Sequence, residues 1–153
     1  MYQKLLAPLD GSDLAECALS HVKTIAMGCK VAEVVLIGVV EPMLSVSALN
    51  AELGREWVSN AQKGMRKASE EYLTKVAEKL KKDGINAKVV VSEGLAADKI
   101  LEYATKNKVD LIIMSSHGRS GVARWTFGSV ADRVVRHATV PVLLAAAPAC
   151  RVD

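Results

Sequence analysis

Met114-Ser115-Ser116-His117-Gly118-Arg119-Ser120-Gly121 follows the apolar run Val109–Ile113, and Gly128-Ser129 stands seven residues beyond Gly121. A small, glycine-bearing turn after a buried strand leaves backbone N–H groups exposed at the sheet end, and Ser129 opens a helical pattern with more free donors in its first turn. Two donor clusters close together suit a polyanion such as a phosphate chain, because unsatisfied amides and the helix dipole both favour negative charge. Gly118, Gly121 and Gly128 permit a close backbone approach that a Cβ would block. Arg119 is the cation inside the turn and would pair with phosphate or sit in solvent. His117 reads as a ligand contact or as a loop histidine packed on the sheet edge. Ser129 reads as a helix cap or a phosphate contact, and the two can coexist. Asp10, in Pro8-Leu9-Asp10-Gly11-Ser12, would accept from a ribose hydroxyl or an exocyclic amine, or would open the first helix as an N-cap or Asx-turn.

The elements that must position these residues alternate strand and helix along the chain, the pattern of a parallel α/β sheet. Strands are expected over 2–9, 31–40, 85–92, 109–115 and 140–145. Helices are expected over 13–27, ending at Gly28, over 51–82, over 96–106, and from Ser129, where Asp132 would complete a capping box. The second strand is apolar almost throughout, as a strand covered on both faces should be. In the long helix, Trp57, Ala61, Met65, Ala68, Tyr72, Val76 and Leu80 make one apolar stripe. If the first and fourth strands are neighbours, the order is 3-2-1-4-5 and the winding reverses between them. The switch point then brings Pro8-Leu9-Asp10 beside Ser115–Gly118, where ligands of open α/β sheets bind.

The 153 residues are half apolar and 4% aromatic, so Val, Leu, Ile and Ala must build the core of a single domain. That domain is expected over residues 1–147, with 148–153 as a tail. No apolar run is long enough for a membrane span, and the N-terminus moves straight into strand pattern, so a cytoplasmic protein without a membrane partner is expected. Cys17, Cys29 and Cys150 show no metal-binding spacing, and no metal ligands are assigned. A net charge of +3 fits a small anionic ligand and is too weak for nucleic acid.

The chain resembles the universal stress protein family. The resemblance is carried by Lys4–Ser12, by Gly38-Val39-Val40-Glu41 and by Met114–Leu144. Nucleotide-binding members carry G-x2-G-x9-G-S/T; here the stretch reads Ser115-Ser116-His117-Gly118, nine residues Arg119–Phe127, then Gly128-Ser129, with Ser115 in place of the first glycine. At positive φ, serine there would cost roughly 1 kcal/mol or more; in strand geometry its hydroxyl would add a donor. The resemblance implies a Rossmann-like, adenine nucleotide alpha-hydrolase-like sheet in the order 3-2-1-4-5 with helices on both faces. It implies that Pro8, Leu9, Asp10 and Val39 line the adenine and ribose end. Met114, Ser115, Ser116, His117, Gly118, Arg119, Gly128, Ser129 and Val130 would surround the phosphates of ATP, with Mg2+ held mainly by the phosphates.

The function expected is an ATP-binding universal stress protein, a nucleotide-responsive signalling or protective module. No His/Asp/Ser set stands at catalytic positions, and Ser129 is followed by Val130, so the lysine of a P-loop is missing. Any ATP hydrolysis would be slow or partner-dependent. Two other readings stand beside it: a slow ATP hydrolase or nucleotidyl-transfer enzyme of a related fold, and a nucleotide-free dimeric scaffold disabled at Ser115. Val140–Ala145 is an apolar, uncharged strand at a sheet edge, which points to a homodimer through that strand.

Overall fold

The computed structural model describes residues 1–43, 51–117 and 127–146, with the backbone alone for 51–53. Five strands, β1 (Lys4–Pro8), β2 (Glu33–Val40), β3 (Ala87–Glu93), β4 (Leu111–Ser115) and β5 (Val142–Ala145), form one parallel sheet in the order β3-β2-β1-β4-β5. Helices α1 (Asp13–Glu16), α2 (Ala18–Gly28) and α3 (Ala51–Lys82) belong to one face. Helices α4 (Ala96–Lys106) and α5 (Ser129–His137) cover the other.

Alternation along the strands builds both faces. Leu5, Ala7, Val34, Leu36, Leu111 and Ile113 pack with Val22, Leu73 and Leu80, while Leu6, Val35, Ile37, Ile112 and Met114 pack with Ile100 and Val134. Burying a Leu, Ile or Val side chain contributes roughly 1.5–3 kcal/mol. These fully enclosed aliphatic layers therefore fix the two strand ends that frame the site.

Each strand begins about two residues later than the apolar pattern predicts, and for β2, β3 and β4 the reason lies in the end of the preceding helix. Lys30 (φ 52°), Gly84 (φ 78°) and Lys108 (φ 52°) adopt the left-handed conformation. The next residues, Val31, Ile85 and Val109, donate back to Ala26 (2.9 Å), Leu80 (3.0 Å) and Ala104 (3.1 Å). This is the Schellman closure with an apolar residue after the left-handed position, so Val31, Ile85 and Val109 cap α2, α3 and α4 rather than open strands.

Two further expectations change. The predicted first helix is two helices broken at Cys17, and Ser12, not Asp10, is its N-cap, accepting from the Ala15 amide at 3.1 Å. The predicted stripe on α3 is buried only in its C-terminal half. Leu73, Val76, Ala77 and Leu80 are enclosed, whereas Trp57 is 64% and Met65 42% exposed, because α3 runs beyond the sheet that covers its other end. The expected tail, 148–153, lies outside the described residues.

Candidate functional site

β1 and β4 pair only at Leu5–Leu111 and Leu6–Ile112 and then part, while β1 stays paired with β2 as far as Pro8–Ile37. The crevice so opened at the carboxyl ends of the strands widens into a cavity of about 670 Å³. The switch-point rule for open α/β sheets anticipates a site there.

One end of the cavity is made by β1, β2 and the turn after β1: Pro8, Leu9, Asp10, Val39 and Val40. The Asp10 carboxylate accepts from the Ser12 amide at 2.9 Å and from the Ser12 hydroxyl at 2.6 Å. Asp10 is thus an Asx-turn residue on the cavity wall, and its two sequence readings are compatible.

The other end is made by Met114, Ser115, Ser116 and His117 leaving β4, and by Gly128, Ser129, Val130 and Ala131 entering α5. The Ser116 amide donates to the Ala145 carbonyl (2.9 Å), and the Gly128 amide donates to the Ser116 carbonyl (2.8 Å). These bonds staple the start of α5 to the exit of β4. The predicted capping box is absent: Gly128 is the N-cap, no side chain caps α5, and Asp132 instead takes a forked bond from Arg136 Nε at 2.9 Å to each oxygen. The first-turn amides of a nine-residue helix therefore face the cavity without an intrahelical acceptor.

Ser115 ends β4 opposite Ala145, is 5% exposed, and does not have positive φ. The strain that a serine would bring in place of glycine does not arise. Its hydroxyl accepts from the His117 amide at 3.4 Å, and Ser116 Oγ lies 3.0 Å from His117 Nδ1. His117 Nε2 is buried without a hydrogen-bond partner, an unsatisfied polar atom beside the open amides. Gly118 and Arg119 lie outside the described residues, as does Gly121. All the other predicted site residues line this cavity.

A third wall was not anticipated. Met65, Ala68, Ser69 and Tyr72 of α3 line the cavity from the side opposite α5. The legible signal was Gly38 inside an otherwise apolar strand, which marks close backbone approach. A Cβ there would overlap the Ser69 hydroxyl and stand 3.0 Å from Leu73 Cδ1. Tyr72 donates its phenol to Glu16 Oε1 at 2.9 Å. Burial, then the bond to Glu16, pushes the phenol above its ordinary range, so it remains a donor at neutral pH.

Residues 1–146 match the model of the universal stress protein family. The chain belongs to that family. Universal stress protein MJ0531 of Methanocaldococcus jannaschii is 36% identical over 148 residues, covering 97% of this chain and 84% of the relative. The solved structure of MJ0577 from the same organism superposes with a TM-score of 0.82 at 28% identity, covering 95% of this chain and 96% of that one. A universal stress protein family protein of Arabidopsis thaliana with AMP bound shares the fold, with a TM-score of 0.62 at 15% identity, covering 94% and 91%. Among the described residues, no helix of this universal stress protein is long and apolar enough to cross a membrane.

Proposed function

We propose that this chain is an ATP-binding universal stress protein, a nucleotide-responsive signalling or protective module. The observation that carries the reading is the pairing, in one cavity, of open α5 amides at the Gly128-Ser129 end with the Asp10 turn at the other. A helix N-terminus favours the negative charge of a phosphate chain, and a carboxylate at the far end suits ribose hydroxyls. The residues fit the nucleotide: Pro8, Leu9, Asp10 and Val39 would hold the base and ribose, and Ser115, His117 and the amides of Ser129, Val130 and Ala131 the phosphates. Gly118 and Arg119 would join the phosphate end through the motif spacing. The unsatisfied His117 Nε2 gives that end one more polar atom awaiting a partner. The Mg2+ accompanying ATP would be held mainly by the phosphates.

The family member solved with AMP supports an adenine nucleotide as the ligand class. Hydrolysis of ATP would be slow or partner-dependent, since Ser129 is followed by Val130 and the lysine of a P-loop is missing. The test is mass spectrometry of small molecules released on denaturing freshly purified protein. An adenine nucleotide near one per chain is expected; a protein that carries none and takes up none from added ATP favours the scaffold reading.

A homodimer through β5 belongs to the same proposal. β5 is the outer strand of the sheet and pairs with β4 alone among the described strands. Its outward backbone groups are those of Val142 and Leu144, because the carbonyls of Pro141 and Ala145 turn inward to Ile112 and Ser116. Both side chains pack on the α4–α5 face. A lysine at either would therefore damage the core, and sedimentation of the unaltered chain at micromolar concentration is the cleaner test, with a dimer expected and a monomer contradicting it.

A further inference from the structure

The carboxylate end of the cavity hangs on a small element. α1 is one turn of four residues, broken from α2 at Cys17, and only Ala15 of it is buried. Its N-cap, Ser12, is the residue that Asp10 holds through two hydrogen bonds. Holding α1 therefore helps to hold the Asp10 carboxylate.

α3 is the rigid counterpart. Leu73, Val76, Ala77 and Leu80 are buried in the core, Ser69 and Leu73 press on β2 at Gly38, and Arg66 pairs with Glu93 of β3 at 3.1 Å. Tyr72 lies on this anchored wall, and its phenol reaches Glu16, the last residue of α1, at 2.9 Å.

We propose that Tyr72 and Glu16 are a positioning pair that holds the Asp10 turn where its carboxylate can accept from ribose hydroxyls, making Tyr72 a determinant of ribonucleotide selectivity. The proposal rests on the nucleotide reading above. Without the phenol, α1 loses its bond to the fixed wall and the half-buried Glu16 carboxylate turns toward water. The Asp10 turn then follows, and the cost falls on the ribose contact rather than on the phosphate end.

The experiment is calorimetric titration of ATP and of 2′,3′-dideoxy-ATP, which lacks both ribose hydroxyls, into wild type, Tyr72→Phe, Glu16→Leu and Glu16→Gln. Thermal melts establish that each variant is folded. Wild type should prefer ATP. Tyr72→Phe should lose about tenfold in ATP affinity, about 1.4 kcal/mol, with less than about a twofold change for the dideoxy analogue. Glu16→Leu should do the same, and Glu16→Gln, whose amide oxygen still accepts from the phenol, should recover most of the selectivity. Three results overturn the proposal: no ribose preference in wild type, unchanged ATP affinity in Tyr72→Phe, or equal losses for both ligands in Tyr72→Phe. A wild type that binds neither ligand overturns the nucleotide reading itself, and the pair's role with it.

Discussion

Gly38→Ala tests how closely α3 is seated on the sheet beside the cavity. The added methyl would overlap the Ser69 hydroxyl and stand 3.0 Å from Leu73 Cδ1. Serine can rotate away at small cost, but Leu73 is 0% exposed and enclosed in the core. Overpacking of this kind costs about 1–3 kcal/mol. Gly38 does not have positive φ, so alanine suits the strand and returns about 0.4–1 kcal/mol by restricting the unfolded chain. The midpoints of these two ranges leave a destabilisation of about 1.3 kcal/mol, or a fall in Tm of roughly 3–5 °C at 2–4 °C per kcal/mol. Urea unfolding measures it, with an unchanged m value expected because the surface exposed on unfolding is the same. Adding Ser69→Ala should restore part of the loss, since it removes the hydroxyl and leaves the Leu73 contact. A Gly38→Ala protein as stable as wild type would refute the reasoning, as would a double variant less stable than the sum of the singles.

Ser115→Gly should change ATP affinity by less than about tenfold, roughly 1.4 kcal/mol, because Ser115 already has strand geometry and its hydroxyl serves the turn; a larger gain on titration would show that serine obstructs the site. Lys108→Gly should stabilise the fold by up to about 1 kcal/mol in urea unfolding, since a left-handed lysine costs about 1–2 kcal/mol and glycine's greater freedom when unfolded offsets part of that. Asp110 accepts from the Gln3 amide at 2.7 Å and the Lys4 amide at 2.8 Å, and these bonds hold its carboxyl below the ordinary value of 3.8. A depressed carboxyl adds stability that is complete above its unfolded value and disappears as pH falls through the folded one. Asp110→Asn should therefore be less stable than wild type at pH 6, and the gap should close on acidification below that ordinary value; a gap independent of pH would mean that the charge contributes nothing.

The parallel α/β class was legible in features local to the sequence, whereas the order 3-2-1-4-5, which the sheet adopts, rested on taking the first and fourth strands as neighbours and on the family resemblance. Apolar runs buried on both faces announce parallel strands, and once the first and fourth strands are neighbours the two most polar strand ends, Pro8–Asp10 and Ser115–Gly118, fall at the switch point. The bounds of α3 and α4 and the start of α5 at Ser129 agree with the sequence reading. What stayed hidden depends on distant partners. Tyr72 looked like one more member of an apolar stripe, and its bond to Glu16 spans 56 positions. The break at Cys17 has no glycine or proline to mark it. The late strand starts reflect an ambiguity: an apolar residue after a helix serves equally as the first residue of a strand or the last of a Schellman cap, and only the hydrogen bonds back to the helix separate the two. The exposed half of α3 follows from the size of the sheet beneath it, which periodicity does not report.

The central claim is that phosphates sit on the amides at the start of α5, and the most direct measurement is calorimetric titration of Mg–ATP into wild type and Gly128→Val. Gly128 is the N-cap of α5 and lines the cavity, so a branched side chain there stands where the phosphates approach. Saturable binding to wild type, with a loss of at least about a hundredfold in the folded variant, about 2.7 kcal/mol, is the predicted result. Equal ATP affinity in wild type and a folded Gly128→Val protein would contradict it.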